Sequence, residues 1–244
     1  MNRLHFETID STNRYLKETY RDHEDGTILS TAVQSAGRGR LGRVWVGDGK
    51  SALFSILLKD GLSPASIAPI PLIAAVALHK TLKTYARGLR IKWPNDIMSV
   101  EGKVAGILCE SVIEGDAVLA FVVGFGVNVN TVTFPDEIAS SAASLFLLTG
   151  RPVAINDVIE RTSAAFMAEW RLSLEGSRDY LAYVNRLSSL KGERIFFLDN
   201  GVRMDGVAGR IREDGSLEVQ TKTGLRSLHS GEVTISGGMK LPSE

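Results

Sequence analysis

Arginine and glycine alternate in Gly37-Arg38-Gly39-Arg40-Leu41-Gly42-Arg43, so a backbone free to bend carries three guanidinium groups within short reach. Such groups donate to phosphate or carboxylate oxygens, often in pairs, which makes the segment a candidate anion-holding lid. The first six residues also match the glycine pattern of dinucleotide-binding proteins, with Asp60 near the spacing of a ribose-binding acid. That pattern works only where the third glycine opens a helix facing a pyrophosphate. Here Arg43-Val44-Trp45-Val46 follows, and Pro64 precedes the first helix-like stretch, so the dinucleotide reading is rejected. A P-loop is rejected as well. Taken alone, an Arg-Gly run is more often a solvated loop than a site; three further segments change that reading. Lys92-Trp93-Pro94-Asn95-Asp96 sets an amide and a carboxylate in a proline-fixed turn. Gly102-Lys103-Val104-Ala105-Gly106 starts an apolar strand with a lysine, and Gly124-Phe125-Gly126-Val127-Asn128 loosens another around an asparagine.

These side chains need elements to hold them. A strand over 4–9 runs into Asp10-Ser11-Thr12-Asn13, whose oxygens can accept the first NH groups of a helix reaching about Tyr20. A second strand is expected over 27–33, a loop over 34–50, and a third strand over 52–59. Ser63-Pro64 then introduces a buried helix over 66–86. Four more strands are expected over 89–93, 97–100, 104–113 and 117–130, the last three joined by turns so short that they pair antiparallel. After Pro135 the period is helical, over 137–148, 156–174 and 177–187. Strands first and helices mostly segregated predict an α+β fold, a mixed β-sheet with helices on one face. From Lys191 hairpins return, over 195–198, 202–206, 207–212, 217–221 and 231–235, with turns at Asn200-Gly201 and Asp214-Gly215. They predict a small C-terminal β-barrel, and the division gives domains 1–188 and 189–244.

The chain has 244 residues, 44% of them hydrophobic, enough to fill a sizeable core. Its 28 basic and 28 acidic side chains cancel, as do the eight of each sign in the tail. No global field is left to hold nucleic acid or an anionic membrane, so any anion site is local. The longest apolar runs fall short of the roughly 20 residues of a spanning helix, and His5, Glu7 and Asp10 interrupt any signal-like stretch. Cys109 is the only cysteine, so no intrachain disulfide exists and a cytoplasmic setting is expected. Cys109 reads as a small core residue rather than a nucleophile. His5, His23, His79 and His229 lack ligand spacing, so no structural metal is expected.

In this order the segments resemble the catalytic domain of the biotin protein ligases. The resemblance spans residues 10–13, 34–45, 92–96, 103–110, 124–128 and Ser230-Gly231-Glu232-Val233. It implies the class II synthetase-like mixed sheet of that family with a small SH3-like C-terminal barrel. It also implies the chemistry: ATP with Mg2+ activates biotin to the acyl adenylate, and a lysine of a biotin carboxyl carrier domain of acetyl-CoA carboxylase, or a related carboxylase, then takes the biotin. Cations near both anions are required. By resemblance Lys103 and Arg40 are the catalytic pair. Lys103 bridges biotin carboxylate and α-phosphate, and closure of the loop over 34–50 protects the anhydride from water. Ser11, Thr12, Asn13, Gln34, Gly37, Arg38 and Gly106 join Lys103 on biotin, where hydroxyl and amide groups suit a neutral urea. Arg40, Arg43, Trp45, Asn95, Asp96 and Asn128 are implied for the nucleotide, Asp96 also for Mg2+. Lys92 and Trp93 are supports.

Leu41 stands where some relatives carry another arginine, which touches an auxiliary phosphate contact. The ten residues before Ser11 are too few for the DNA-binding domain that some members carry, so a ligase alone is expected. Homodimers by edge-strand pairing fit this fold. Two other functions compete: a lipoate or octanoate ligase, which shares the adenylation logic but needs a longer apolar pocket, and a biotin sensor without transfer activity, in which Lys103 or Arg40 would be lost.

Overall fold

The computed structural model describes residues 2–45, 47–199, 201–229, 231 and 233–236. Seven strands form the main sheet: β1 (Arg3–Ile9), β2 (Ile28–Gln34), β3 (Ala52–Leu58), β4 (Arg90–Lys92), β5 (Asp96–Ser99), β6 (Gly102–Glu114) and β7 (Ala117–Val127). Their order is β1-β2-β3-β7-β6-β5-β4. Only β1 and β2 run parallel, and the remaining pairs are antiparallel, as the short turns required. Every residue of strand β3, which lies between β2 and β7, is buried, which explains a sequence apolar at every position but Ser55.

Among the described residues seven α-helices accompany the sheets: α1 (Thr12–Glu18), α2 (Pro64–Ile67), α3 (Ile70–Leu82), α4 (Asp136–Ala139), α5 (Leu145–Thr149), α6 (Ile155–Leu174) and α7 (Asp179–Leu187). The main helical layer of α3, α6 and α7 packs on one face, where Phe54, Ile73, Phe125, Phe166 and Val184 share one core. Helix α1 sits on the opposite face, its Leu16 packed with Leu29, Leu57 and Val122. The stretch 64–82 is long and apolar enough to cross a membrane by composition, yet it is a core element, most of it buried.

Two expected helices are broken. The one over 66–86 is α2 and α3, interrupted at Ala68 and Pro69, because a proline donates no N–H and the helix restarts after it. The one over 137–148 is α4 and α5, because residues 141–143 pair with strand β6 instead: Lys103 N donates to Ser141 O at 2.8 Å and Ala143 N to Lys103 O at 2.9 Å. Ser144 then caps α5, its Oγ accepting from Leu147 N at 3.1 Å.

The C-terminal residues form a second, five-stranded antiparallel sheet, with β8 (Arg194–Asp199), β9 (Val202–Ile211), β10 (Leu217–Thr221), β11 (Gly224–Leu228) and β12 (Val233–Ile235) in the order β11-β10-β9-β8-β12. The two strands expected over 202–212 are the single strand β9, and β11 was not expected. Asn200, Ser230 and Glu232 lie outside the described residues. The two sheets share one hydrophobic core. Trp93 Nε1 donates to Gly215 O at 2.8 Å, and Asn185 exchanges hydrogen bonds with the Ile211 backbone at 2.9 and 2.7 Å.

Candidate active site

The segments that drew attention in the sequence converge on one cavity of about 330 Å³. Its wall includes Thr12, Gln34, Arg38, Arg40, Arg43 and Trp45, and on the sheet side Asn95, Asp96, Lys103, Gly106 and Asn128. The Arg-Gly segment is a small hairpin. Gly39 N donates to Arg43 O at 2.7 Å and Trp45 N to Gly37 O at 3.0 Å, while Leu41 (φ 56°) and Gly42 (φ 76°) both take the left-handed conformation at its tip. No helix follows Gly42, which agrees with rejecting the dinucleotide pattern. Gly49-Lys50-Ser51 carries the end of a P-loop pattern, but Val44 stands where the first glycine belongs and strand β3 follows in place of a helix.

The hairpin is tied to the sheet through Arg40, whose Nη1 donates to Asn95 Oδ1 at 3.1 Å; Asn95 Nδ2 in turn donates to Ile107 O at 2.6 Å. Both ends of the Asn95 amide are thus engaged in holding Arg40. Lys103 Nζ lies 2.7 Å from Asp96 Oδ1, an ion pair without hydrogen-bond angles, and 5.5 Å from the Trp45 ring centroid. The indole can come this close because the floor is glycine: a Cβ at Gly126 would stand 2.5 Å from Trp45 Cε2, and one at Gly106 would stand 2.9 Å from Lys103 Nζ. Trp45 Nε1 is buried without a partner among the described residues. Asn128 Nδ2 donates to Ala143 O at 3.0 Å and to Lys103 O at 3.3 Å, so it braces the strand that presents Lys103.

Three of the expected ligand contacts do not line the cavity. Ser11 caps α1, its Oγ accepting from Arg14 N at 3.4 Å. Asn13 is turned into the protein, toward Leu108 O and Glu110. Gly37 is buried beneath the hairpin, where a Cβ would stand 2.6 Å from Trp45 O. Conversely, Phe134, Ile138, Ser141 and Ala142 line the cavity, as do Gly231, Val233 and Thr234 from the second sheet. Sequence reasoning missed the 134–142 stretch because its place depends on the pairing with Lys103. Lys92 and Trp93, read as supports, reach the wall too.

Titration chemistry separates the two groups behind the wall. Burial pushes the Cys109 thiol up to about 12, against a smaller opposing effect of the Arg40 charge, which makes it a poor nucleophile. Burial also disfavours the charged form of Glu110, but hydrogen bonds from Lys17 and Asn13 outweigh it and hold this carboxylate below its usual range. Asp96 is the one carboxylate in the cavity wall among the described residues, and no group of three His, Cys, Asp or Glu side chains that could hold a metal occurs among them.

The model of the biotin/lipoate A/B protein ligase family matches residues 5–128. A biotin-acetyl-CoA-carboxylase ligase of Paracoccus denitrificans is 31% identical over 240 residues, covering 93% of this chain and 98% of that protein. The bifunctional ligase/repressor BirA of Bacillus spizizenii is 29% identical over 247 residues, covering 95% of this chain and 73% of that protein. Among solved structures, the biotin protein ligase of Aquifex aeolicus in complex with biotin and ATP matches with a TM-score of 0.83 at 28% identity, over 96% of this chain and 98% of that one. The fold is a mixed sheet carrying a cavity lined by basic, hydroxyl and amide side chains. The chain belongs to the biotin/lipoate A/B protein ligase family.

Proposed function

We infer that this chain is a biotin protein ligase, which joins biotin to ATP as biotinyl-5'-AMP and passes the biotin to a lysine of a carboxyl carrier domain. The observation that carries this reading is the composition of one cavity wall: the hydroxyl and amide surface of Thr12 and Gln34, and the cationic surface of Arg38, Arg40, Arg43 and Lys103. A neutral urea with a carboxylate tail and a triphosphate need those two surfaces in one enclosure.

In the first step a biotin carboxylate oxygen attacks the α-phosphorus of ATP; the anhydride bond forms as the bond to pyrophosphate breaks. Both reactants are anions, and Lys103, exchanging Asp96 for the two of them, would neutralise the oxygens between which the new bond forms. Arg40 and Arg43 would hold phosphate oxygens, with Trp45 against the adenine and Asn95 steadying Arg40. Asp96, the one carboxylate in the wall among the described residues, would hold Mg2+, which would neutralise phosphate charge when bound. In the second step the carrier amine attacks the anhydride carbonyl, the amide forms, AMP leaves with the bonding electrons and the amine proton passes to solvent. Cys109 takes no part.

On this reading Thr12, Gln34, Arg38 and Gly106 contact biotin directly, while Ser11, Asn13 and Gly37 shape those contacts from behind. The catalytic domain is 1–188, the SH3-like domain is 189–244, and the enzyme works in the cytoplasm. The test is pyrophosphate release with biotin, lipoate or octanoate supplied in turn, with and without a biotin carrier domain. Release with biotin followed by a mass increase on one carrier lysine is expected; release with lipoate alone, or binding of biotin without release, would sink the reading. Lys103→Ala should lower release by about a hundred- to a thousandfold while keeping the unfolding midpoint.

A further inference from the structure

A line of hydrogen bonds runs behind the cavity wall from the surface to Thr12. Lys17 Nζ donates to Glu110 Oε1 at 2.7 Å. Asn13 Nδ2 donates to Glu110 Oε2 at 2.9 Å and to Leu108 O at 3.0 Å. With both amide hydrogens used, Asn13 Oδ1 faces Ser55 Oγ at 2.7 Å, and Ser55 Oγ lies 2.7 Å from Thr12 Oγ1. Thr12 N in turn donates to Gln34 Oε1 at 2.8 Å. Thr12, Asn13 and Ser55 are 4%, 4% and 0% exposed, so water does not compete for these bonds. A Cβ at Gly124 would stand 2.1 Å from Asn13 Oδ1, so the seat of Asn13 requires a glycine there.

The direction of the protons follows from the chemistry of each group. Ser55 has one proton and two oxygens at equal distance. Asn13 Oδ1 can only accept, so Ser55 donates to it, and the Thr12 hydroxyl must donate to Ser55 Oγ. The 3.1 Å contact between Thr12 Oγ1 and Gln34 Oε1 then holds no proton and is open to an incoming N–H. Gln34, with Oε1 taken by the Thr12 backbone, keeps Nε2 as a donor that has no acceptor among the described residues. Thr12 and Gln34 line the cavity; Asn13, Ser55 and Glu110 do not.

We propose that Glu110 is a positioning residue that, through Asn13 and Ser55, sets the hydrogen-bond polarity of the wall so that Thr12 offers an acceptor and Gln34 a donor to a cyclic urea. This deepens the reading of the cavity as a biotin site and rests on it. The Glu110 carboxylate and the Leu108 carbonyl can only accept, so Asn13 cannot turn round; a group able to donate at 110 would remove the charged one of these two constraints. A reversed line would present the Thr12 hydrogen to the urea N–H, donor against donor. The depressed proton affinity of Glu110, with Lys17 and Arg38 as the cations near it, keeps it ionised at neutral pH.

The experiment is steady-state pyrophosphate release by the full chain, varying biotin and ATP in turn, for the parent, Glu110→Gln, Ser55→Ala and the double variant. KM for biotin should rise about ten- to a hundredfold in each single variant, with kcat and KM for ATP within about twofold. The double variant should be no worse than the poorer single, since both act through one line. Lys17→Met removes the ion pair but leaves the carboxylate, and at about pH 8, well above the usual carboxylate range, KM for biotin should change less than about threefold. A folded Glu110→Gln enzyme with parental KM for biotin, or variants in which kcat and both KM values worsen together, overturns the proposal. If Glu110→Gln fails to fold, Ser55→Ala decides by the same criteria. A parent that releases no pyrophosphate with biotin overturns the functional reading and this inference together; an active parent with unaffected variants overturns the inference alone.

Discussion

Thr12, Asn13 and Ser55 are buried and hydrogen-bonded into three elements of the sheet layer, whereas the hairpin over 37–45 on the other side of the cavity leaves Leu41 73% and Val44 76% exposed. Leu41 takes a left-handed backbone conformation that costs a branched residue free energy, and Trp45 keeps a buried N–H without a partner among the described residues. The first wall is braced before any ligand arrives, with the Thr12 acceptor and the Gln34 donor left open toward the cavity; the second is less tied down. A rigid heterocycle that does not change during the reaction suits the braced wall. A triphosphate that loses pyrophosphate suits the wall that can still move.

Damage to the braced wall should have the larger effect. Gly124→Ala would push a methyl group into Asn13, costing about 1–3 kcal/mol of stability by chemical denaturation and raising KM for biotin. A parental KM would mean that this wall adapts as the hairpin does, and the contrast would be lost. Arg40→Gly should retain adenylate formation but let the intermediate escape, read as biotin on bystander lysines in a mixture of proteins; intermediate held as tightly as by the parent would remove Arg40 from the lid. The smallest effect is expected from Leu41→Asn, since asparagine tolerates the left-handed conformation: a gain of about 0.5 kcal/mol and KM values within about twofold. A large loss of activity there would show that the Leu41 side chain itself makes a contact in the working enzyme.

Much of this was legible beforehand. The strands at 4–9, 52–58 and 102–127 show in their apolar runs and tight turns, Lys103 and Arg40 show as charged residues beside glycines, and Asp96 shows in a proline-fixed turn. The broken helix over 136–149 did not show, because its local periodicity is helical and only the pairing of residues 141–143 with Lys103 interrupts it. The same holds for Asn13: its type suits a ligand contact, but its side chain points away from the cavity because Glu110, 97 positions along the chain, and Leu108 O accept its two amide hydrogens.

The amino-acid sequence by itself determined the residue types, their order and the alternation of elements, since these depend on neighbours a few positions apart. Tertiary structure alone decided which of them face the cavity and which stand behind it. Ser55 illustrates the reason: it is the one polar residue of an otherwise apolar strand and carries no local signal of a role, yet strand register and the packing of α1 bring its hydroxyl between Thr12 and Asn13. A hydrogen bond's direction depends on every partner in the line, and those partners are neighbours only in the folded chain.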